Sequence, residues 1–438
     1  IMSFAINGSL GRLAGGDVQV AAGFESIDNS FEFVPSQDLA AGTIAGFNGA
    51  PGLKGAYDVD EFFVEAYLPI MDNWDIEVAF RSADYSTVGS VDSMKFSTSF
   101  EMNDIVRFRG GYNTAVRAPN IAELFAPQAE GFPGALDPCS SDTPAGGQTA
   151  ELRALCEATG VPAGSVFTPA IAPPAGQIRG IFGGNPLLQE EEAETVTFGV
   201  VLTPNDNLSI SLDYFDIEIE DAVTGFGGGV ANIMQNCYLD PVLGGQNSDF
   251  CNVINRRADG TIDYVEVLSQ NVASIALTGF DIIAEYSMDM AGGEAKINYV
   301  ATLTDESSFQ AFDGSNVVDC AGLFGAICGE PTPEYKHLLT FSWSKDDISA
   351  RATWRYIGEV NDDDDGTDYT VETIDGTSYL DVSGTYHITD SYRVTAGIDN
   401  LIDEEPPVIG ANDEQANTYP ATYDVFGRTF FVKFTATF

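Results

Sequence analysis

The sequence predicts an all-β protein: a transmembrane antiparallel β-barrel with long extracellular loops and short periplasmic turns. Three observations predict this class. Apolar and polar residues alternate along most segments, short and long connections alternate between those segments, and all six cysteines fall in the long connections. The 438 residues include 45 Gly, 29 Phe and 17 Tyr, a balance that favours strands and turns over helices.

The charge balance excludes one group of functions. Lys and Arg number 19 against 66 Asp and Glu, which gives a net charge of −47. A protein that tracks nucleic acid needs a basic surface, so no nucleic-acid partner is expected. Apolar residues make up 44% of the chain, which argues against disorder. No apolar run of about 18 residues occurs, so the sequence predicts no transmembrane helix.

The alternation is clearest in the last predicted strand. One face of this strand carries only apolar side chains: Phe430, Val432, Phe434, Ala436 and Phe438. The same pattern occurs around residues 76–80, 106–112, 350–356 and 380–398. Because residues two apart share a face of a strand, each segment has an apolar face for lipid and a polar face for the barrel lumen.

About fifteen strands are predicted in this way. They lie near residues 3–12, 17–26, 59–70, 74–86, 92–101, 104–117, 194–203, 207–219, 272–288, 294–305, 335–345, 348–359, 378–388, 392–402 and 425–438. The long connections are 27–58, 119–193, 220–271, 306–334, 360–377 and 403–424, and one short connection near Thr87 breaks the alternation. Fifteen is odd, and an open sheet would expose unpaired backbone to lipid, so we expect further strands to precede residue 1.

The six cysteines form three close pairs in sequence, each within its own long loop. The pairs are Cys139 with Cys156, Cys237 with Cys251, and Cys320 with Cys328. Six cysteines allow 15 connectivities, and pairing within each loop is the simplest of them. The loops have no CxxC spacing and no nearby His, so we favour disulfides in an oxidising compartment over metal ligation or free thiols.

Four segments, in order, add a resemblance to a known family. They are 113–125 (NTAVRAPNIAELF), 184–188 (GNPLL) with the acidic run that follows, 399–403 (DNLID), and 423–438 ending on Phe438. This set resembles the conserved segments of TonB-dependent outer-membrane receptors over most of residues 104–438. The resemblance implies a 22-stranded barrel around an N-terminal plug, of which residues 1–438 would be a partial barrel domain lacking the plug, the TonB box and the first seven strands.

The resemblance also implies a function and partners. An integral barrel of the bacterial outer membrane would bind a scarce solute or oligomeric nutrient at its loops and import it with energy from the TonB complex, which would act through the missing N-terminal part. Further expected partners are outer-membrane lipid, lipopolysaccharide and the barrel-assembly machinery, which would recognise Phe434 and Phe438. Siderophore, cobalamin, haem, oligosaccharide and metal complex all stay open as substrates.

Several charged residues are candidate contacts with the lumen or the plug. The polar faces of the predicted strands carry Arg81, Arg107, Arg109, Arg351, Arg355 and Arg393, and the outer rim carries Arg117 and Glu123. Pairing with lumen or plug carboxylates is the interpretation we favour for the arginines. Steering of an anionic solute is the alternative, and local ion pairs that cap a strand end are the alternative at the rim.

One acidic segment matches the template of a calcium-binding loop. Asn361, Asp363, Asp365 and Glu372 occupy its ligand positions around a glycine, with Asn in place of Asp at the first. The flanks read as strands rather than helices, and so acidic a chain produces chance matches. A solvated acidic loop is therefore the preferred interpretation, with Ca²⁺ as the alternative and no required cofactor.

Two other functional classes are alternatives to the transport receptor. A passive porin-like channel has the same alternation but would close its sheet without further strands. A β-rich surface adhesion module would not turn apolar faces outward on nearly every strand. The chain contains only two histidines and no HExxH, GxSxG, Walker or dinucleotide motif, so no enzyme is predicted.

Overall fold

A computed structural model describes residues 1–46, 48–312, 314–325, 327–363, 370–410 and 417–437. Fifteen long strands form the main sheet. They are β1 (Met2–Leu13), β2 (Gly16–Phe33), β3 (Leu53–Met71), β4 (Trp74–Tyr85), β5 (Gly89–Glu101), β6 (Val106–Arg117), β7 (Glu191–Asn205), β8 (Leu208–Gly225), β9 (Ile262–Met290), β10 (Gly293–Gln310), β11 (Tyr335–Lys345), β12 (Ile348–Ile357), β13 (Thr377–Thr389), β14 (Tyr392–Asp399) and β15 (Thr429–Ala436).

Each long strand pairs with the next one in an antiparallel ladder. Within the described residues, β1 pairs only with β2 and β15 only with β14. The short connections therefore all lie at one end of the sheet, except residues 86–88. We call the end with these short connections the turn end and the opposite end the loop end.

All fifteen predicted strands are confirmed. The largest errors are in the predicted positions of their first and last residues. β9 begins at Ile262, ten residues before the predicted start. β2 continues to Phe33, and β3 begins already at Leu53. The additional residues continue the hairpin ladders beyond the loop end, as in the pairing of Gly225 with Ser269. In the β9 extension, Val265 and Val267 are buried, because they pack against the long connections at the loop end rather than facing lipid.

The last strand was predicted slightly too long. β15 ends at Ala436 and begins at Thr429 rather than at residue 425. Phe434 lies on its apolar face and stacks on Tyr392 of β14, with 5.9 Å between ring centroids. Phe438 falls outside the described residues.

The two faces of the sheet differ in chemistry as the alternation predicts. Large apolar side chains are exposed on one face; examples are Phe80, Phe198 and Val432, the last two being 58% and 77% exposed. The other face carries Arg, Lys, Glu, Asp, Ser and Thr, and we call it the polar face. No helix in the described part of the chain is long and apolar enough to span a membrane.

The turns at the turn end are tight enough to need left-handed backbone. Between β9 and β10, Ala291 and Gly292 have φ of 53° and 75°. Two consecutive positive φ values match the right-handed twist of the flanking strands, which favours hairpins of two residues. These turns hold the strands in register without adding surface at this end.

The loop end contains all the helices and the short strands. The helices are α1 (Gln37–Ala40), α2 (Ile121–Phe125), α3 (Ala150–Ala158), α4 (Val230–Tyr238) and α5 (Asp249–Asn252), with 3₁₀ turns at Ala145–Gly147, Pro169–Ile171, Pro174–Gly176 and Phe226–Gly228. The short strands are Ala129–Gly131, Gly180–Gly183, Ile254–Arg256, Val318–Asp319, Leu323–Gly325, Gly329–Thr332, Val360–Asp362 and Thr373–Ile374. The long connections are thus folded structures rather than open loops.

The orientation of β7 gives a direct test of the two faces. Phe198 lies on the apolar face at the middle of β7, and its neighbour Thr197 lies on the polar face. We expect Phe198→Arg to lower the free energy of unfolding in lipid vesicles by about 2–4 kcal/mol, because an Arg at the bilayer midplane loses its hydration. The control Thr197→Arg should lower it far less, measured by urea unfolding. Equal losses in the two variants would contradict the assignment of faces.

Candidate functional site

Ion pairs cross the polar face between neighbouring strands on the β3–β9 side. Arg81 of β4 pairs with Glu61 of β3, and Lys95 of β5 pairs with Glu77 of β4 at 3.0 Å. These pairs join adjacent strands across the polar face, and the Arg81–Glu61 pair lies beside a small buried apolar cluster of Val59, Ala83 and Val91. The carboxylates come from the barrel wall itself, one of the two sources that we expected for the arginines.

Arg109 of β6 makes the most specific of these contacts. Its Nε and Nη2 donate to the two carboxylate oxygens of Asp213 on β8, at 2.7 and 2.5 Å. The bidentate pair passes over β7 at Gly199, where an added Cβ would overlap with the Asp213 carboxylate. Because residue 199 is a glycine, the two parallel hydrogen bonds can pass over β7 and join β6 to β8.

The rim residues form a separate cluster at the loop end. Arg117 donates to Glu123 at 3.0 and 3.1 Å and to Glu191 at 2.5 Å. Asn120 begins α2, and its side chain and that of Glu123 form a reciprocal capping box. The cluster ties the start of the 118–190 loop to β7. The rim residues thus form local ion pairs that cap a strand end, which was the alternative given for them from the sequence.

The remaining predicted arginines differ in their partners. Arg355 of β12 donates to Asp424 at 2.5 Å and lies over the Tyr379 ring at 4.5 Å. Arg107, Arg351 and Arg393 have no carboxylate within ion-pair distance among the described residues. Arg107 lines a groove of about 450 Å³ in the polar face, beside Arg109.

The three predicted disulfides are present, each within its own loop. The Cα–Cα distances are 5.7 Å for Cys139–Cys156, 4.9 Å for Cys237–Cys251 and 5.5 Å for Cys320–Cys328. The first closes a separation of 17 residues. Closing a loop of this length stabilises a fold by about 3 kcal/mol in the chain-entropy account.

The first two disulfides belong to one folded body. Residues 118–190 and 226–261 pack together, and we call this body the disulfide lobe. The lobe shares a core with the top of β9, and all members of this core are nearly inaccessible to solvent; they include Cys139, Cys156, Ile171, Val230, Ile233, Met234, Cys237, Cys251 and Val265. The sequence predicted two loops, and the structure joins them into a single apolar core.

A buried ion pair joins the two parts of the disulfide lobe. Arg256 Nη1 and Nη2 donate to the Asp137 carboxylate at 2.7 and 2.8 Å, and the two side chains are 2% and 0% exposed. The Arg256 guanidinium also lies 5.4 Å from the Tyr238 ring centroid. Burial alone would lower the pKa of Arg256, but its hydrogen bonds to Asp137 raise it above the usual value, so the Arg256 guanidinium stays charged.

Sequence reasoning missed this pair for a physical reason. Asp137 and Arg256 are 119 residues apart, in loops without periodic patterning. Nothing local distinguishes Asp137 from the other acidic residues of so acidic a chain. The sequence feature that came closest to predicting this contact was the disulfide in each loop, because a disulfide indicates that its loop is folded.

The predicted calcium ligands are only partly described. Asp363 Oδ2 accepts hydrogen bonds from the backbone N–H groups of Ile327 and Cys328, at 2.8 and 2.6 Å. Asn361 accepts from Thr373 at 2.8 Å. Asp365 lies outside the described residues. In the described ranges, no group of three or more His, Cys, Asp or Glu side chains is placed to hold a metal.

Breaking the Asp137–Arg256 pair should loosen the disulfide lobe without unfolding the sheet. In Asp137→Asn the Arg256 charge stays buried without its counter-charge, which typically costs about 3–5 kcal/mol. We expect hydrogen exchange to accelerate in α3 and α4 and to stay unchanged in β4 and β5. The control Asp263→Asn removes a partly exposed partner of Arg257 and Arg179 and should cost at most about 1 kcal/mol. Equal exchange in both variants would show that the buried pair does not join the loops.

Comparison with known proteins identifies the fold. Residues 3–401 match the family model described as TonB dependent receptor-like, beta-barrel. No curated protein sequence matches the chain. Among solved structures, a mutant of the ferric enterobactin receptor PfeA from Pseudomonas aeruginosa is 18% identical, with a TM-score of 0.65, covering 100% of this chain and 53% of the other.

Two further structures agree on the fold. The siderophore receptor PirA from Acinetobacter baumannii is 15% identical with a TM-score of 0.61, covering 100% and 54%. The copper transporter OprC is 14% identical with a TM-score of 0.53, covering 96% and 54%. The chain thus spans about half the length of the structures it matches. By the match over residues 3–401, the chain belongs to the TonB-dependent receptor β-barrel family, whose members lie in the bacterial outer membrane.

Proposed function

We propose that this chain is the barrel part of an active-transport receptor, which binds a scarce solute at its loop end and imports it with energy from TonB. The match of residues 3–401 to a TonB-dependent receptor barrel carries the proposal. The disulfide lobe supports it, because it gives the loop end a folded surface on which a solute can bind. The barrel performs no bond chemistry.

We further propose that the rest of the receptor supplies a plug and the missing strands. The matched structures are about twice as long as this chain, which leaves room for both. The polar face is then the lumen wall, and the groove beside Arg107 and Arg109 is a candidate contact for the plug. The TonB complex would act through the same N-terminal part.

The remaining partners follow from the outer face. The exposed apolar side chains of β15, including Phe434 at 61% exposure, support the proposal that outer-membrane lipid and lipopolysaccharide are partners. We propose that Phe434, together with Phe438, is the signal that the barrel-assembly machinery recognises. The exposure of the Phe434 ring on the apolar face of β15 supports this role.

Uptake measurements separate the receptor from a passive channel. Cells that express the full-length gene would be given radiolabelled ferric enterobactin and, separately, Cu²⁺, the solutes of two matched structures. We expect uptake of at least one probe to stop when TonB is deleted or the proton gradient is collapsed. Uptake that is unchanged by both treatments would indicate a porin-like channel and overturn the proposal.

We also propose that the acidic loop around Asn361, Asp363, Asp365 and Glu372 can bind Ca²⁺. Asp363 supports this, because its Oδ2 accepts hydrogen bonds from two backbone N–H groups while its buried Oδ1 has no hydrogen-bond partner among the described residues. Hard oxygen ligands of this kind suit Ca²⁺.

Calcium titration tests this loop. We expect Glu372→Gln to weaken Ca²⁺ binding, because it removes the charge of the last ligand position of the template, while Glu330→Gln in the neighbouring short strand leaves it unchanged. The measurement is isothermal titration with CaCl₂. Binding that is equal in both variants and the parent would assign the loop as a solvated acidic segment.

A further inference from the structure

A cavity of about 380 Å³ opens at the loop end, where β11 begins and β12 ends. Two half-buried tyrosines, Tyr335 and Tyr356, line it together with three exposed polar residues, Glu334, Glu359 and Asn361. We call the space that these five residues line the outer cavity. It contains both aromatic rings and carboxylates, which is the combination that the following argument uses.

The register places the outer cavity on the lipid side of the wall. Tyr335 lies opposite Leu303 of β10, and Tyr356 lies opposite His337 of β11. Because residues two apart share a face of a strand, both tyrosines lie on the face opposite to that of Arg355. A plug in the lumen would therefore be separated from the outer cavity by the sheet. Further strands beside β15 would be at least three strand spacings from β12, about 14 Å.

The two tyrosine rings form a fixed floor. Their centroids are 5.9 Å apart. His337, which is 9% exposed, packs against both rings, with its centroid 5.6 Å from that of Tyr335 and 5.4 Å from that of Tyr356. The Tyr335 hydroxyl is hydrogen bonded to that of Tyr299 at 2.6 Å. Because these contacts already hold the rings in place, a ligand would bind without the cost of ordering them.

The polar residues of the outer cavity supply oxygen atoms and negative charge. Glu334 and Glu359 provide two carboxylates, and Asn361 provides an amide. The Glu334 carboxylate lies beside Gly322, where an added Cβ would be 3.3 Å from its Oε1. Among the described residues that line the cavity, none is Lys, Arg or His. The cavity therefore attracts a positive ligand, and the net charge of −47 adds to this attraction.

We propose that the outer cavity binds a small organic cation, in which an ammonium group is joined to a compact apolar body. The faces of aromatic rings attract an ammonium group through the ring quadrupole, and the Glu334 and Glu359 carboxylates supply the opposite charge. The apolar body of the ligand would contact the rings and Leu323, which also lines the cavity. An inorganic cation would gain nothing from the aromatic floor, and a neutral sugar would gain little from the two charges.

The proposed site is separate from the transport path through the lumen, because it lies on the outer side of the wall. Aromatic side chains at the edge of the apolar belt commonly meet lipid head groups, and this accounts for tyrosines at the level of Tyr335 and Tyr356. It does not account for a cavity that combines them with two carboxylates. The ammonium group can come from two sources: a cation free in the medium, or the head group of an amine-bearing lipid.

Direct binding to the purified full-length protein in detergent tests the proposal. The probe is choline, and its matched neutral probe is 3,3-dimethylbutan-1-ol, which has the same shape without the charge. Isothermal titration is carried out in EGTA, so that Ca²⁺ at the acidic loop does not contribute. The variants are Tyr356→Leu, which removes a ring, Tyr356→Phe, which keeps it, and Glu359→Gln. The control is Glu151→Gln, on an exposed position of α3. Unchanged heat-modified migration in gels confirms that each variant is folded.

We expect choline to bind the parent protein at least about tenfold more tightly than the neutral alcohol does. Tyr356→Leu should weaken choline binding about five- to thirtyfold, because it removes a cation–π contact, and Tyr356→Phe should change it by less than about twofold. Glu359→Gln should weaken it about two- to fivefold and reduce its dependence on salt. Glu151→Gln should leave it unchanged.

Reconstitution in vesicles separates the two sources of the ammonium group. The protein is placed in phosphatidylglycerol alone or in phosphatidylglycerol with phosphatidylethanolamine, and choline binding is measured in both. Equal affinity in the two lipids would assign the cavity to a free cation. An affinity that falls as phosphatidylethanolamine is added, in the parent protein and in Tyr356→Phe, would assign it to a lipid head group.

Three results would overturn the proposal: no binding of choline at millimolar concentration, equal binding of choline and the neutral alcohol, or equal affinities in Tyr356→Leu and Tyr356→Phe. The first would also be the result if another segment of the full-length receptor filled the cavity. Choline binding needs neither TonB nor a transported solute. The outcome is therefore separate from that of the uptake experiment.

Discussion

Hydrogen bonding of the backbone in lipid is the constraint on which this structure depends. A bilayer offers no water to unpaired N–H and C=O groups, so each strand must pair along its length with a neighbour. The long strands satisfy this by pairing each with the next in sequence, from β1 to β15. Pairing in turn fixes the alternation of side chains, because a slip of one residue would turn every charged side chain of the polar face into lipid.

Because of the same constraint, the sheet itself does not enclose a large apolar core. Side chains such as Phe198 and Val432 face outward, and the polar face carries charges, so the sheet has little apolar interior to stabilise it. The largest packed core of the described residues lies in the disulfide lobe, around Ile233 and Val265, and a second one lies around Phe324 and Tyr423. There the chain uses the devices of a small secreted domain: disulfides, a shared core and the buried pair of Asp137 with Arg256.

The net charge of the chain does not show where its charged side chains lie or how they are paired. On the β3–β9 side of the polar face, cations such as Arg109 are paired with carboxylates of neighbouring strands. On the β12–β15 side, Arg351, Arg393 and Lys433 stand without partners in the described residues. The surroundings of each charge are therefore local, because Coulomb interactions are decided within about a Debye length and not by the total charge.

The sequence by itself determined the strands, the turns, the faces and the disulfide pairs. Each of these is local: alternation at Phe430–Val432–Phe434 needs only neighbours, and Cys139 lies in the same loop as Cys156. It also placed Arg81, Arg109, Arg351 and Arg393 on the polar face, because the side-chain period of a strand is two. The errors fell at the loop end, where β9 starts at Ile262 and packs Val265 into the disulfide lobe, a contact between distant segments that no local pattern shows.

Only the tertiary structure decided which groups meet. The arginines of the polar face look alike in sequence, yet Arg109 reaches Asp213 across β7 and Arg351 has no carboxylate partner in the described residues. Asp137 and Arg256 meet although 119 residues separate them. Such contacts depend on the register of strands and the packing of loops, and both are set by the sum of many distant interactions rather than by any local pattern.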